Sequence, residues 1–273
     1  MIILLSNDDG IAAPGLWAVA RELKSIAQIV VVAPDREQSA VGTAVTLRQP
    51  LRVQRISPAV PGVEVYSVEG TPSDSVILAL GKLIKDNVDL VISGINQGAN
   101  LGDDVLISGT VGAALQGYLR GLPSLALSIA APNSPYLETA ARLATLLAAE
   151  IGSRTLPDDI FLNINLPNRP FDEIKGIKIT QLAHKTHIDT VEEGHDGRRE
   201  YYWLVRQKQN TETNKETDIW AVEHGYISIN ALHNSLFHRP PLPDAANLCQ
   251  GLFQKLKVWQ RTRAAMANQK NGK

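Results

Sequence analysis

The chain has 273 residues, of which 44% are hydrophobic and 20% are charged, as in an ordinary globular protein. Lys and Arg number 27 against 28 Asp and Glu, so the net charge of −1 gives no electrostatic basis for nucleic-acid binding. No apolar run reaches the ~18 residues of a membrane span, and no signal peptide is recognisable. The single cysteine, Cys249, cannot form an internal disulfide, and we therefore expect a cytoplasmic protein.

Strand and helix patterns alternate through the first half of the chain. Continuous apolar runs predict buried strands, and apolar residues at helical spacing predict the helices between them. The strands are predicted over residues 2–6, 28–34, 63–68, 89–94 and 123–130. The helices are predicted over residues 14–27, 71–86, 110–121 and 135–151. This alternation predicts an α/β fold with a mainly parallel sheet and helices on both faces.

The second half of the chain has a different pattern. Strands are predicted over 161–167, 177–182 and 225–232, a hairpin around 201–207, and a late helix over 244–260. We therefore predict one domain of three parts: an α/β catalytic core (1–152), a β-rich C-terminal extension (153–260) and a flexible tail (261–273).

Polar loops that contain glycine follow three of the predicted strands. Asp8 and Asp9 follow the first strand, Ser39 lies in the loop after the second, and Asn96 lies in the loop after the strand at 89–94. Ligands of open α/β sheets bind beyond the carboxyl ends of the strands. We therefore expect these three loops to meet at one edge of the sheet and to form the functional site.

The adjacent carboxylates of Asp8 and Asp9 are the first candidates for chemistry. They repel one another unless a cation lies between them, and a hard divalent cation takes carboxylate, amide and hydroxyl oxygens. Ser39 and Asn96 supply the hydroxyl and the amide. The pattern therefore predicts a metal site. The alternative is a turn at Asp9-Gly10 with Asp8 as a helix cap.

An anion site is predicted beside this metal site. Ser108, Gly109 and Thr110 stand directly before a helix, where backbone amides and small hydroxyls bind phosphate; the alternative is an ordinary helix cap. A metal next to an anion site favours phosphoryl transfer, because the metal polarises the phosphoryl group and activates water. Asp8 is followed by Asp9, without the two-residue spacing of aspartyl-phosphate enzymes, which favours direct attack by water.

Five segments resemble the SurE family of stationary-phase survival proteins, which act as 5′-nucleotidases. They are LLSNDDGIAAPG (4–15), VVAPDREQSAVG (31–42), EGTPSDSV (69–76), SGINQGANLGDDVLISGTVGAALQG (93–117) and TDIWAVEHGYISI (217–229). The resemblance implies a Rossmann-like three-layer α/β/α core. It also implies hydrolysis of nucleoside monophosphates to nucleoside and phosphate, with activity on short polyphosphate in some members.

The resemblance also implies roles for individual residues. The implied metal ligands, for Mg²⁺ or Mn²⁺, are Asp8, Asp9, Ser39 and Asn96, with Asp8 and Asp9 also catalytic. The residues implied to face the phosphate are Ser108, Gly109, Thr110 and Asn100. A C-terminal exchange between subunits implies a homodimer or homotetramer, for which the hairpin around 201–207 is the candidate segment.

Two positions depart from the family pattern, and two other functions fit parts of the sequence. Gln116 stands where the family often has Glu, and Asn230-Ala231 where it often has Thr-Pro. A non-catalytic nucleotide sensor would use the same anion site without turnover. A glycosyltransferase-like enzyme would usually need a second α/β domain, for which the second half offers too few βαβ units.

Overall fold

A nine-stranded sheet runs through the part of the chain that a computed structural model describes, which is residues 1–131, 133, 135–184, 187–208 and 214–233. The sheet belongs to one compact unit, Met1–His233. Its strands are β1 (Ile2–Ser6), β2 (Gln28–Pro34), β3 (Val53–Arg55), β4 (Glu64–Val68), β5 (Leu90–Gln97), β6 (Ser124–Ala130), β7 (Phe161–Pro167), β8 (Ile177–Ile179) and β11 (Ile227–Ala231). The two remaining strands, β9 (His187–His195) and β10 (Glu200–Lys208), form a separate hairpin.

The strand order is β3-β4-β2-β1-β5-β6-β7-β11-β8. The six strands from β4 to β7 in this order are parallel, whereas β3 and β11 run antiparallel to their neighbours β4 and β7. Ile3, Leu4 and Leu5 of β1 are all fully buried, because helices cover both faces of the sheet at its centre. The continuous apolar runs in the sequence therefore reflect burial on two faces.

The helices are α1 (Pro14–Leu23), α2 (Pro72–Leu78), α3 (Gly109–Tyr118), α4 (Leu137–Gly152) and α5 (Asp218–Glu223). Helices α1 and α4 pack together on one face of the sheet, and α2 and α3 pack together on the other. Leu16 and Ala144 belong to the first apolar core, and Val76 and Ala113 to the second. The predicted three-layer α/β/α architecture with a mainly parallel sheet is confirmed.

Several predicted boundaries differ from the structure. The helix predicted over 14–27 ends at Leu23, because the chain turns over the next residues to enter β2. The helix predicted over 71–86 is α2 followed by one π-helical turn, Ala79–Leu83, which contains the poor helix former Gly81. The short elements β3 and α5 were not predicted. The late helix at 244–260, with Cys249, and the tail at 261–273 lie outside the described residues.

Of the strands after α4, β7, β11 and β8 belong to the nine-stranded sheet, and β9 and β10 form the predicted hairpin. β9 and β10 pair antiparallel, with Glu200 opposite His195. The side chains of Trp203 and Leu204 on this hairpin are 66% and 80% exposed. A two-stranded hairpin is only marginally stable alone. The division of the domain into core, extension and tail stays a prediction.

No helix within the described ranges is both long and apolar enough to cross a bilayer. The features that concern function lie elsewhere, at the carboxyl ends of the central strands. β1, β2 and β5 are neighbours in the sheet, so the loops that follow them meet at one edge. The convergence of these loops that the sequence predicts is present in the structure.

Candidate active site

A polar cavity of about 210 Å³ lies at the carboxyl ends of β1, β2 and β5. It is bounded by two segments: residues 35–52 after β2, here called the β2 loop, and residues 98–108 after β5, here called the β5 loop. Six of the eight predicted site residues line the cavity, namely Asp8, Asp9, Ser39, Asn96, Asn100 and Ser108. The other two, Gly109 and Thr110, contact Asp8.

Asp8 is held by groups from two other parts of the chain. Its side chain is buried, with only 4% of the residue exposed. The Thr110 hydroxyl donates a hydrogen bond to Asp8 Oδ1, and the Gln38 backbone N–H donates to the Asp8 carbonyl at 2.7 Å. The chain bends at Asp8 and Asp9, and Asn7 Nδ2 donates to the Gly10 carbonyl at 2.9 Å, whereas the N-cap of α1 is Ala13 and not Asp8. This bend is compatible with a cation site.

The two adjacent carboxyl groups share an environment that disfavours their charged forms. Burial raises the pKa of Asp9 to about 6, and the negative charge of Asp8 adds to this effect. Burial also raises the pKa of Asp8, against the hydrogen bond from Thr110, which lowers it. The Gln97 N–H donates to Asp9 Oδ2 at 3.2 Å. A cation between the two carboxyl groups would stabilise their charged forms and so offset the effect of burial on their pKa values.

The lining of the cavity fits a hard divalent cation. Glu37 and Asp104 add two carboxyl groups to those of Asp8 and Asp9, and none of the described residues that line the cavity is Lys, Arg or His. Asn96 Nδ2 donates to the Gly98 carbonyl at 2.8 Å, which leaves Asn96 Oδ1 for a cation. Carboxylate, amide and hydroxyl oxygens suit Mg²⁺ or Mn²⁺.

The candidate metal site has a mixed set of oxygen ligands and is not a cluster of His, Cys, Asp or Glu side chains. The described residues contain no group of three or more His, Cys, Asp or Glu side chains with metal-binding geometry. Two carboxylates, one hydroxyl and one amide are a mixed oxygen set, as is usual where a cation also contacts water and substrate phosphate. The ligand roles of Asp8, Asp9, Ser39 and Asn96 stay a prediction that this geometry fits.

The N-terminus of α3 points at Asp8. The Ser108 hydroxyl caps the helix by accepting the Val111 N–H at 3.1 Å, and Thr110 bonds the Asp8 carboxyl group. A Cβ atom on Gly109 would lie 2.7 Å from the Cβ of Asp8, so only glycine allows this approach. The helix end therefore stabilises negative charge on Asp8. The phosphate-binding roles of Ser108, Gly109 and Thr110 stay predictions.

The β5 loop is anchored from beneath by buried amides. The Asn100 N–H donates to Asn165 Oδ1 at 2.8 Å, and its carbonyl accepts Asn163 Nδ2 at 2.9 Å and Asn165 Nδ2 at 3.0 Å. The Asn100 side chain donates to the Ser128 hydroxyl at 2.8 Å. Strand β7 thus fixes the backbone, and strand β6 the side chain, of a residue that lines the cavity.

A buried carboxyl group from the C-terminal extension completes this anchor. Asp218, at the start of α5, is fully buried and accepts the N–H groups of Gly102 at 2.8 Å, Ala183 at 3.0 Å and Ile219 at 2.9 Å. Burial raises its pKa. The sequence analysis did not assign this role, although Asp218 lies in one of the five segments that carry the family resemblance. Glu37 was also missed, although it stands two residues before Ser39.

The β2 loop is mostly exposed and has fewer anchors. The Gly42 N–H donates to the Ile107 carbonyl at 2.9 Å, which joins the two loops. Further along, the N–H and hydroxyl of Thr46 donate to the buried carboxyl group of Asp74 at 2.9 and 2.7 Å. Thr71, which caps α2, donates its hydroxyl to the Ala44 carbonyl at 2.7 Å.

Comparisons with known proteins show which family this chain is similar to. The family model described as "Survival protein SurE" matches residues 3–189. A protein named 5′-nucleotidase SurE from Dehalococcoides mccartyi (strain CBDB1) is 59% identical over 242 residues, 88% of this chain and 91% of that protein. Another of the same name from Legionella pneumophila (strain Paris) is 41% identical over 249 residues, 91% of this chain and 97% of that protein.

A solved structure matches as well. The crystal structure of the SurE protein from Aquifex aeolicus superposes with a TM-score of 0.75 at 36% sequence identity, covering 87% of this chain and 95% of that chain. These matches confirm the resemblance that the sequence segments indicate. All eight predicted site residues lie between residues 3 and 189, the part that the family model matches.

Proposed function

This chain belongs to the SurE survival protein family, and we propose that it is a divalent-metal-dependent 5′-nucleotidase that hydrolyses nucleoside monophosphates to nucleoside and phosphate. The observation that carries the proposal is the pair of adjacent carboxyl groups of Asp8 and Asp9 in a polar cavity whose described lining has no cationic side chain. The names of the curated relatives support the nucleotidase activity.

The metal would be held by Asp8, Asp9, Ser39 and Asn96. When bound, a divalent cation supplies Lewis-acid stabilisation of the charge that develops on a phosphoryl group. The protein fixes the ligands before the substrate arrives, because Thr110 orients Asp8 and the Gln97 N–H orients Asp9. Such preorganisation is a main source of rate enhancement in phosphoryl transfer.

Asp9 is the better placed of the two carboxylates to accept a proton from the attacking water. Asp8 is almost fully buried and its Oδ1 is bonded by Thr110, whereas Asp9 is half-buried. Asp9 would therefore hold the proton while Asp8 serves as a fixed anionic ligand.

Ser108 and Asn100 would hold the phosphate oxygens. The Ser108 hydroxyl accepts one hydrogen bond from Val111 and keeps its own hydrogen to donate. Asn100 Nδ2 carries two hydrogens, of which Ser128 takes one. Both residues line the cavity, so each can present a donor to the substrate there.

Assembly of subunits belongs to the same proposal. The hairpin formed by β9 and β10 exposes Tyr202, Trp203 and Leu204, side chains that usually mark a protein interface when they cluster on a surface. We propose that this hairpin joins subunits into a homodimer or homotetramer. Hydrolysis of short polyphosphate and a cytoplasmic location also stay predictions.

The proposal is tested by phosphate release from AMP with Mn²⁺ and with EDTA. EDTA is expected to abolish activity of the wild-type protein, and Asp8→Asn to lower kcat by about a thousandfold, roughly 4 kcal/mol, since an anionic ligand is lost. Asp35→Asn, which removes a carboxylate before the β2 loop's Ser39 without touching the cavity lining, is the matched control. Binding of AMP without phosphate release would instead support the sensor, and full activity of Asp8→Asn at saturating Mn²⁺ would contradict the metal site.

A further inference from the structure

Glu37 lines the cavity without being one of the predicted metal ligands. Its carboxyl group accepts a hydrogen bond from the Ser39 hydroxyl, with 2.7 Å between Oε1 and Oγ. Both residues lie in the exposed β2 loop. The bond therefore joins an acidic side chain to the hydroxyl of a predicted ligand that is itself exposed.

The chemistry of a serine hydroxyl gives this contact a consequence for metal binding. A hydroxyl has one hydrogen and two lone pairs, and its hydrogen rotates to suit its surroundings. Donation of that hydrogen to Glu37 fixes the rotor and leaves the lone pairs of Ser39 Oγ free for a cation. The carboxylate also draws the hydrogen away and makes the oxygen a stronger ligand. Ligands in metal sites are commonly supported by such outer hydrogen bonds.

We propose that Glu37 is a positioning residue that orients the Ser39 hydroxyl toward the metal and so strengthens binding of the divalent cation. This inference rests on the proposed function, because it requires that Ser39 is a ligand. Glu37 would act through Ser39 and would not itself touch the phosphate.

A second route must be separated from this one. The negative charge of Glu37 acts through space on Asp8 and Asp9, whose pKa values it raises. That charge alone would attract a cation whether or not Ser39 is present. The hydrogen bond requires Ser39, so the two routes give different results when both residues are changed together.

The experiment measures the Kd of Mn²⁺ by calorimetry for the wild type, Glu37→Ala, Ser39→Ala and the double variant. Glu37→Ala is expected to weaken Mn²⁺ binding by about ten- to a hundredfold, the usual loss when an outer hydrogen bond to a ligand is removed. In the Ser39→Ala background, the same change is expected to weaken binding by no more than a few-fold. Glu37→Gln, which keeps an acceptor for Ser39, is expected to recover most of the affinity.

Asp35→Asn is the matched control, because Asp35 lies two residues before Glu37 and its carboxyl group is near Arg36, 3.9 Å away, instead of Ser39. It is expected to leave Mn²⁺ binding unchanged. Equal losses from Glu37→Ala in both backgrounds would overturn the inference and leave the metal site standing. A wild-type protein that binds no Mn²⁺ would overturn the proposed function itself, and with it the inference.

Discussion

The two loops that bound the cavity are fixed by different means. The β5 loop is bonded from beneath by Asn163, Asn165 and Asp218, all fully buried. The β2 loop is mostly exposed, and its contacts near the cavity are the bond from Ser39 to Glu37, the bond from the Gln38 N–H to the Asp8 carbonyl and the bond from Gly42 to the β5 loop. One wall of the site is part of the folded core, and the other is a surface segment.

Because they are fixed differently, the two loops should respond differently to substitution. Groups on the β5 side, such as Asn100, keep their geometry because moving them would break buried hydrogen bonds, each costing about 1–3 kcal/mol. The hydroxyl of Ser39 has no such support from the core. Changes under the β5 loop should therefore alter stability and activity together, whereas changes in the β2 loop should act mainly on the ligands that this loop carries.

The largest effect on stability should follow Asp218→Ala. Three buried N–H groups would lose their acceptor, which destabilises the fold. Part of this loss would be offset, because the variant no longer buries a charged group. We therefore expect the free energy of unfolding to fall by about 3 kcal/mol. The value of kcat/KM should fall by at least about tenfold, because the β5 loop loses its anchor. Urea unfolding and phosphate release from AMP measure both. Asp172→Ala, at an exposed position, is the control. If the two variants lost stability and activity equally, the claim that Asp218 anchors the β5 loop would be contradicted.

A smaller effect should follow Asp74→Asn, which loosens the far end of the β2 loop. The Asp74 carboxyl group accepts two bonds from Thr46 and the Thr71 N–H at 2.9 Å, and an amide retains only one acceptor oxygen. We expect a loss of about 1–2 kcal/mol in the free energy of unfolding, as for other helix caps. Activity should fall only a few-fold, since the anchored wall is unchanged. A loss of activity as large as that of Asp218→Ala would show that both walls need the same rigidity.

A further effect concerns pH and separates the site from its anchor. The pKa of Asp9 is raised from 3.8 to about 6, so between these values the folded state binds more protons than the unfolded state. The EDTA-treated protein should therefore lose stability as pH rises through this window. Burial raises the pKa values of Asp8 and Asp218 as well and acts in the same direction.

Thermal unfolding at about pH 4.5 and about pH 7, with EDTA and with Mn²⁺, measures this dependence. Mn²⁺ should cancel the part of the pH dependence of stability that comes from Asp8 and Asp9. The part that comes from Asp218 should remain, because Asp218 lies outside the cavity lining. In the metal-free protein, Asp9→Asn should remove the contribution of Asp9 to the pH dependence of stability. A metal-free protein that becomes more stable as pH rises through the window would contradict the assignment.

The sequence predicted the layers of the fold and the members of the cavity because both follow from local rules. Apolar runs identify strands buried on two faces, and polar loops after neighbouring parallel strands meet at one edge. Asp8, Asp9, Ser39 and Asn96 were selected by this rule, and the structure brings all four to one cavity.

The contacts that support the site could not be read in the same way. Asp218 lies 116 positions from Gly102, and no local pattern indicates that its carboxyl group would meet that N–H. Glu37 looks like any solvated acidic residue until the loop brings it to Ser39. Thr110 fits a phosphate site by its place before a helix, but the structure aims its hydroxyl at Asp8. Each depends on tertiary geometry.

The bond between Gly102 and Asp218 also has a consequence for how the protein is made. Ribosomes add about 5–20 residues per second, so about 6–23 s separate the synthesis of these two positions, 116 residues apart. Strands β1 to β6 are all synthesised within that interval or before it, while the β5 loop still lacks Asn163, Asn165 and Asp218. The nascent chain therefore carries both carboxylates of the site well before the residues that anchor the β5 loop have been made.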